Sequence, residues 1–230
     1  MCPVRSVTYV SGRAMIVLFL SSLSRSNLGK KENSRRKRAY DPLATRARIL
    51  DAASDEFQKR GYHATSMHDV MRLAGVPAGS LYHYFPTKKS LALAVIEERV
   101  AETVTETWIE PVRNASSGPQ GIIAVFDSVA ESVGSSRAIS GCPLNNLVLE
   151  LSLADQDFQQ ALFRVFDRWK QAIAQRLRDD LKAGIVQNIE PNRLATFVVA
   201  SFSGAMSLAK AAQNAAPIRE CRRELAQYLA

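Results

Sequence analysis

The sequence has little of the chemistry that marks metalloproteins and many enzymes. Only 3 of its 230 residues are cysteine and 3 are histidine, and the cysteines are spaced too widely for a disulfide framework or a zinc site. It contains neither a glycine-rich phosphate loop nor a His-Glu-x-x-His pattern. Its apolar runs are far shorter than the ~20 residues that cross a bilayer. We therefore expect no metal, no cofactor and no membrane span, and unpaired thiols suit a reducing cytoplasm.

One stretch, residues 65–85, predicts two short helices joined by a turn. Thr65 and Ser66 carry hydroxyls that suit a helix start, and apolar residues follow at three- and four-residue spacing. Gly75 is suited to end that helix in the left-handed conformation, and a proline then favours the first turn of the next helix, which Leu81 anchors. Two helices joined in this way form a helix-turn-helix, whose second helix enters the major groove of DNA.

The second helix of this unit carries small and hydrogen-bonding residues outside its buried stripe. Ala78 and Gly79 are small where the helix backbone would come closest to DNA. Lys88 opens the following helix, where a cation opposes the helix dipole and favours an external phosphate. The candidate DNA-contacting residues of the second helix are Ala78, Gly79, Ser80, Tyr82, His83 and Tyr84.

The stretch resembles the TetR (tetracycline repressor) family. That family's pattern, Thr-Ser-x-x-x-Val-x-x-x-Ala-Gly-Val-x-x-Gly-x-Leu-Tyr-x-x-Phe followed by a Lys, is matched almost throughout, and the resemblance extends over roughly residues 41–98. It implies phosphate contacts from Thr65, Tyr82 and Lys88, and major-groove contacts from the other candidates of the second helix. Ser66 completes the predicted DNA-binding set. A helix-turn-helix that binds protein, with its tyrosines at the rim of a core, is the alternative.

The excess positive charge is confined to the N-terminal segment. Residues 1–38 contain nine Lys or Arg and one Glu, which accounts for the whole net charge of +8. We expect this segment to be a disordered basic extension upstream of the folded domains. It either contacts DNA phosphates and a minor groove or is a solvated tail.

The rest of the chain has helical periodicity and no strand pattern, so the predicted fold is all-α. An N-terminal three-helix helix-turn-helix domain, residues 39–87, precedes a C-terminal helical domain for ligand binding and dimerisation, residues 88–230. The predicted helices of the second domain run from Lys88 to about Glu110, where Pro111 ends the helix, from Pro119 to Gly134, from about Pro143, from Asp155 to Gly184, from Pro191, and from Ile218 to Leu229.

The helix that begins at Pro191 has two apolar faces, both expected to be buried. One carries large residues such as Phe197 and Leu208, and the other carries small residues such as Ala200 and Gly204. A helix buried on both sides needs a partner, so we predict a homodimer through the last two helices of each copy. The family resemblance implies the same dimer, which presents two reading helices ~34 Å apart to a palindromic double-stranded DNA operator.

A regulated DNA-binding protein needs a second site, and the C-terminal domain supplies aromatic residues for one. No charge cluster identifies an anionic or cationic effector. The alternative is that these aromatic residues belong to the core. The candidate effector-sensing residues are Trp108, Phe126, Phe166, Trp169 and Phe202.

Cys142 is the sixth candidate effector-sensing residue. It lies between Gly141 and Pro143 at a predicted helix start, where the helix dipole favours a thiolate. The segment resembles a TetR subgroup that includes N-ethylmaleimide-responsive and acrylate-responsive repressors, whose thiol senses electrophiles. The alternative is a buried, inert cysteine.

Together these patterns predict a cytoplasmic, ligand-responsive, sequence-specific transcriptional regulator. We expect a repressor that leaves a palindromic operator when a small molecule binds or when an electrophile modifies Cys142. One alternative is a thiol-dependent enzyme, with Cys142 as nucleophile and one of His63, His68 or His83 as base, although all three histidines lie in or beside the DNA-binding motif. Another is a nonspecific architectural DNA-binding protein.

Overall fold

The computed structural model describes residues 41–229, so the predicted extension 1–38 lies outside the described residues. Among the described residues there are nine helices, numbered α1 to α9 here, and no strand. The all-α prediction is confirmed. The helices are α1 Pro42–Arg60, α2 Met67–Ala74, α3 Ala78–Tyr84, α4 across residues 88–114, α5 Gly118–Gly134, α6 Pro143–Leu151, α7 Gln156–Lys182, α8 Pro191–Ala212 and α9 Ala216–Tyr228.

Helix α1 supports the reading unit formed by α2 and α3. The Asp41 carboxylate accepts hydrogen bonds from two backbone N–H groups of the first turn, at 3.0 and 3.1 Å, and so caps the helix. Ile49, Leu50 and Phe57 lie on one buried stripe that packs against the later helices. The helix ends at Gly61, whose φ of 85° lies in the region that favours glycine.

Helix α4 leads from the reading unit into the larger bundle, and it continues past Pro111. The predicted end at Pro111 is therefore wrong. The five segments of α4 are contiguous, and two of them, Val95–Val100 and Thr105–Ile109, are π-helical. The second π segment ends at Ile109, two residues before Pro111, and its wider turn accommodates the proline ring and the missing N–H. The helix ends at Asn114.

The core of the larger bundle is built around α7. Its buried stripe follows the predicted spacing from Phe158 to Leu177, whereas Leu181 at the end of the stripe is 39% exposed. Trp169 of α7 meets Trp108 of α4 and Phe202 of α8, with ring centroids 5.1 and 5.8 Å apart. These aromatic residues join three helices at the centre of the bundle.

Helix α8 buries one face within the single described chain, and burial of its second face stays a prediction because it requires a second copy. Leu194, Val198 and Phe202 lie in the core, but Phe197 is 51% and Leu208 is 60% exposed. By length and composition α8 is apolar enough to cross a membrane, yet part of it is buried within the bundle, as in the core helix of a soluble protein. The small residues of the second predicted face are exposed or half-buried, and they are Ala200, Ser203, Gly204, Ser207 and Ala211.

Candidate DNA-binding surface and effector cavity

Helix α2 begins at Met67, where the sequence predicts a helix start, and Ser66 and Asp69 form a capping box there. The Ser66 hydroxyl accepts from the Asp69 backbone N–H at 3.1 Å, and the Ser66 backbone N–H donates to the Asp69 carboxylate at 3.1 Å. The Ser66 hydroxyl also donates to that carboxylate at 2.7 Å, and together these bonds hold the pKa of Asp69 below its usual value. Gly75 ends the helix in the left-handed conformation, with φ 62° and ψ 41°. The turn of the helix-turn-helix therefore forms where predicted.

Helix α3 is anchored by two apolar residues. Leu81 is 0% and Phe85 is 3% exposed, so one side of this short helix faces the core of the reading unit. Pro77 caps the helix instead of occupying its first turn, because its ψ is 153°. The side opposite Leu81 is left to face outward.

The outward side of α3 matches most of the predicted DNA-contacting set. Ala78, Gly79, Tyr82 and His83 are exposed. A Cβ added to Gly79 would meet nothing within 4 Å, so a DNA backbone can approach the helix closely there. Ser80 and Tyr84 are half-buried at the edges of this surface.

Thr65 is placed differently from the prediction. Its side chain is 2% exposed, and its hydroxyl donates to the Gly61 carbonyl at 2.8 Å. Thr65 therefore shapes the turn between α1 and α2 and leaves no exposed hydroxyl for a phosphate. Sequence reasoning missed this because the partner is a backbone carbonyl.

Lys88 is engaged within the chain. Its ammonium group donates to the His63 carbonyl at 3.3 Å and lies 4.2 Å from the centre of the Tyr62 ring. Partial burial lowers its pKa, and the nearby Glu150 opposes that effect. The structure thus gives Lys88 internal contacts where the sequence predicted only an external phosphate.

Glu150 of α6 ties the C-terminal bundle to the loop that leads into α2. Its carboxylate oxygens accept from the backbone N–H groups of Tyr62 at 2.8 Å and of His63 at 2.6 Å. A Cβ added to Gly61 would lie 3.1 Å from the same carboxylate, so glycine allows this close approach. Glu150 was missed as a functional candidate, because no sequence pattern connects α6 with this loop.

A second connection joins α1 to the start of α6. The Gln58 amide donates to the Gly141 carbonyl at 2.8 Å and accepts from the Asn146 amide at 3.1 Å. Asn146 also donates to the Ser140 carbonyl at 2.8 Å and accepts from Lys210 of α8 at 3.1 Å. These bonds connect the 140–146 segment with α1 and α8.

The same segment forms part of the wall of a cavity of about 270 Å³ that is open to solvent on one side. The cavity reaches from the aromatic centre of the bundle to α1, which contributes Ser54 and Gln58 to its wall. Its position between the reading unit and the bundle suits an effector site. Of the candidate effector-sensing residues, those that line it are Trp108, Cys142, Trp169 and Phe202.

The other two candidates do not line this cavity. Phe126 is fully buried behind it and packs edge-on against Trp108, with ring centroids 5.7 Å apart. Phe166 is half-buried and stacks on Trp169, with ring centroids 6.1 Å apart. Both residues therefore support the aromatic wall from outside, and their prediction as lining residues is wrong for this cavity.

Cys142 lies at the N-cap of α6, as predicted, but it is 8% exposed. Burial raises the pKa of its thiol and outweighs the opposing hydrogen bonds from the backbone N–H groups of Asn145 and Leu144. The expectation that the helix start stabilises a thiolate is therefore wrong, because desolvation dominates. Cys142 is nevertheless one of the residues that line the cavity.

Known proteins resemble both halves of this architecture. Residues 49–95 match the family described as "Bacterial regulatory proteins, tetR family", and residues 119–224 match "Transcriptional regulator LmrA/YxaF-like, C-terminal domain". The chain belongs to the TetR family. It is thus a helix-turn-helix transcriptional regulator, a member of a family of DNA-binding proteins.

Individual TetR-family proteins resemble it over most of its length. The uncharacterized regulator YxaF of Bacillus subtilis is 29% identical over 76% of this chain and 89% of its own length. The repressor DhaR of a Mycobacterium species is 25% identical over 75% of this chain and 86% of its own. The crystal structure of reduced Escherichia coli NemR has a TM-score of 0.71 and 21% identity, over 81% of this chain and 97% of that one, and supports the fold alone. YxaF and DhaR are named as a transcriptional regulator and a transcriptional repressor.

Proposed function

We propose that this protein is a cytoplasmic repressor that binds a palindromic operator as a homodimer and leaves it when an effector enters the cavity between α1 and the bundle. The observation that carries the proposal is the position of the cavity, which has the aromatic centre of the bundle on one side and α1, the helix that supports the reading unit, on the other. Repression is typical of the TetR family, and one relative is itself named a repressor. Binding alone is sufficient to block a polymerase.

The proposed DNA surface consists of the outward side of α3 and the start of α2. Tyr82 is 52% exposed and Gly79 leaves space for the DNA backbone, which supports a close approach to the major groove. Ser66 lies at the N-terminus of α2, where backbone N–H groups suit a phosphate. The proposed surface also includes Ala78, Ser80, His83 and Tyr84, with Lys88 at its edge and Thr65 beneath it. In this proposal the regulatory domain begins at residue 88.

The proposed dimer interface uses α8 and α9. An exposed stripe on α8 combines Phe197 and Leu208 with the small residues Ala200 and Gly204. Phe197 also contacts Tyr228 of α9, with ring centroids 5.8 Å apart, so the two helices form one continuous surface. Apolar side chains beside small ones allow two helices to pack closely, which favours a second copy of the chain as the partner.

The proposed release mechanism acts through the contacts between α6 and the reading unit. An effector in the cavity displaces the 140–146 segment, which bonds to Gln58, and α6, whose Glu150 holds the loop before α2. The spacing of the two α3 helices in the dimer then no longer matches the half-sites. An effector therefore weakens operator binding by its preference for the displaced state.

A covalent trigger at Cys142 is a second candidate. Cys142 is one of the residues that line the cavity, so an electrophile that enters comes close to this residue. We expect slow modification, because burial disfavours the reactive thiolate. Operator release by N-ethylmaleimide that is abolished by Cys142→Ser, but not by Cys221→Ser, would support this route. Release that persists in Cys142→Ser would exclude it.

The function is tested by titrating purified protein with DNA from upstream of its own and neighbouring genes at physiological salt. We expect a specific complex whose affinity exceeds the affinity for random DNA by roughly a thousandfold or more. Tyr82→Ala should lose it, whereas Phe163→Ala, which removes an exposed aromatic ring on α7, should retain it. Equal binding to random DNA that Tyr82→Ala leaves unchanged would favour the nonspecific architectural alternative. Catalytic turnover of a substrate in an activity assay, if it required Cys142, would favour the thiol-dependent enzyme.

A further inference from the structure

Lys88 and Lys89 are neighbouring lysines at the start of α4, but their partners differ in charge. The Lys89 ammonium group lies 2.6 and 2.7 Å from the carboxylates of Asp155 and Asp157 at the start of α7, so its charge is neutralised within the chain. The Lys88 ammonium group contacts a carbonyl oxygen and an aromatic ring, which are both uncharged. An ammonium group has three N–H donors, and the carbonyl takes one of them. Lys88 therefore retains a positive charge and donors that suit an external anion.

The Lys88 ammonium group lies between the two parts of the proposed DNA surface. Its carbonyl partner belongs to His63, three residues before Ser66 at the N-cap of α2. Lys88 itself follows Tyr84, the last residue of α3, by four residues. The residue is half-buried, so part of its side chain is open to solvent. A DNA backbone that reaches the start of α2 and the outward side of α3 would therefore pass close to this charge.

The C-terminal bundle holds both groups that the Lys88 ammonium contacts. The ammonium nitrogen lies 3.3 Å from the His63 carbonyl oxygen and 4.2 Å from the centre of the Tyr62 ring. The backbone N–H groups of these two residues donate to the Glu150 carboxylate, at 2.6 and 2.8 Å. Phe158 of α7 also packs edge-on against the Tyr62 ring, with centroids 5.5 Å apart. The place of the ammonium group therefore depends on where α6 and α7 hold this loop.

We propose that Glu150 positions Lys88 for contact with a DNA phosphate, acting through the backbone of residues 62–63. Lys88 makes the contact, and Glu150 is a positioning residue. The inference rests on the proposed function, because it requires α2 and α3 to approach DNA. It adds the route from α6 to the DNA surface: an effector that displaces α6 withdraws the carboxylate, and the loop no longer fixes the ammonium group. Fewer phosphate contacts then weaken binding and reduce its dependence on salt.

The salt dependence of operator affinity is the first readout, because it counts phosphate contacts. The full-length protein is titrated, at several salt concentrations, with the upstream DNA fragment that the wild type binds specifically. Lys88→Met keeps the apolar stem and removes the charge, so the slope of log K against log salt concentration should fall by about one for each bound copy. Lys89→Met is the matched control and should leave the slope unchanged, because Asp155 and Asp157 already neutralise that ammonium group.

A double-mutant cycle distinguishes positioning from a structural role of Glu150. Glu150→Gln should weaken operator binding roughly threefold to tenfold when Lys88 is present, the effect of about one net hydrogen bond. In the Lys88→Met background the same change should alter the affinity by less than about twofold, because no ammonium group remains to be positioned. General destabilisation by Glu150→Gln, or the loss of a negative charge near the phosphates, would act equally in both backgrounds.

Substitutions of Tyr62 test the same route if Glu150→Gln fails to fold. Tyr62→Phe keeps the ring beside Lys88 and should bind the operator as the wild type does. Tyr62→Leu removes the ring and should weaken binding only when Lys88 is present. The DNA-free protein gives a further readout: the Tyr62 ring should shift the methylene protons of Lys88 upfield in a ¹H NMR spectrum. That shift should become smaller in Glu150→Gln.

Two results would overturn the proposal. They are equal effects of Glu150→Gln in the two Lys88 backgrounds, and a salt slope that Lys88→Met leaves unchanged. Absence of a specific operator complex in the wild type would refute the proposed function, and the NMR comparison would then decide alone whether Glu150 fixes Lys88. A specific complex without coupling between Glu150 and Lys88 would refute only this inference.

Discussion

The Glu150 carboxylate accepts from the backbone N–H of Tyr62 at 2.8 Å, although the two residues are 88 positions apart in the chain. The same carboxylate accepts from His63 at 2.6 Å, so one side chain of α6 satisfies two backbone donors in the loop before α2. Backbone donors outside regular helices need such partners. The bundle therefore holds the reading unit through a charged group on the helix that starts at the cavity wall.

Glu150→Gln should destabilise the protein by about 1–2 kcal/mol, because a neutral amide cannot accept from both backbone N–H groups as strongly as a carboxylate. We expect a lower free energy of unfolding in urea. Glu106→Gln is the matched control, since Glu106 is exposed on α4. Equal stability of the two variants would show that the Glu150 bonds contribute nothing measurable.

Glu98→Gln should lower the free energy of unfolding by an amount that depends on pH. Arg46 donates to both Glu98 oxygens, at 2.5 and 2.6 Å, and holds the pKa of Glu98 below the usual 4.5. The pair therefore contributes fully above pH 4.5, and its contribution is lost as the pH falls through the lowered pKa.

The pair is about one-third exposed, so we expect a difference of about 0.5–1 kcal/mol between wild type and Glu98→Gln at pH 7. Urea unfolding at pH 7, 5 and 4 should show that difference persisting at pH 5 and beginning to narrow at pH 4. A difference that widens toward pH 4 would contradict the assigned role of the carboxylate.

Gly79→Leu should weaken operator binding at least tenfold without harming the fold. Nothing lies within 4 Å of a Cβ at this position, and leucine is a better helix former than glycine. Its side chain would occupy the space that the DNA backbone needs. We expect the melting temperature to be unchanged or raised and the operator affinity to fall at least tenfold, or about 1.4 kcal/mol, in an anisotropy titration. Wild-type affinity would remove α3 from the DNA surface.

Gly204→Leu tests the proposed dimer surface in the same way. This exposed glycine on α8 also has nothing within 4 Å of an added Cβ in the single chain, so a monomer tolerates leucine there. A dimer whose two copies pack closely along α8 does not tolerate leucine at this position. Sedimentation equilibrium should show a wild-type dimer and weakened association in Gly204→Leu, whereas Gly79→Leu remains dimeric. A fully dimeric Gly204→Leu protein would place the interface elsewhere.

The local features of the reading unit were predictable because their causes are local. Ser66 caps α2 through a residue three positions away, and Gly75 ends the helix because glycine adopts its left-handed conformation without a steric penalty. Leu81 anchors α3 by helical spacing alone. In contrast, Pro111 does not end α4 as the sequence predicts, since the π-helical turn that accommodates it has no sequence signature of its own.

The roles of individual site residues were less predictable, because they depend on neighbours distant in sequence. Cys142 has the helix start that favours a thiolate, but burial by other helices reverses the direction of its pKa shift. Phe126 and Phe166 have the same apolar character as Trp108, and only the packing of α4, α5, α7 and α8 decides which aromatic residues line the cavity.

The sequence by itself determined the all-α class, most of the helix boundaries and the helix-turn-helix, since these follow from residue periodicity and from hydrogen bonds within a few positions. The tertiary structure decided that Thr65 is buried, that Lys88 contacts the His63 carbonyl and that Glu150 accepts from two backbone N–H groups of the loop before α2. Each of these depends on which atoms long-range packing brings within hydrogen-bonding distance. The local periodicity of the sequence does not determine those distances.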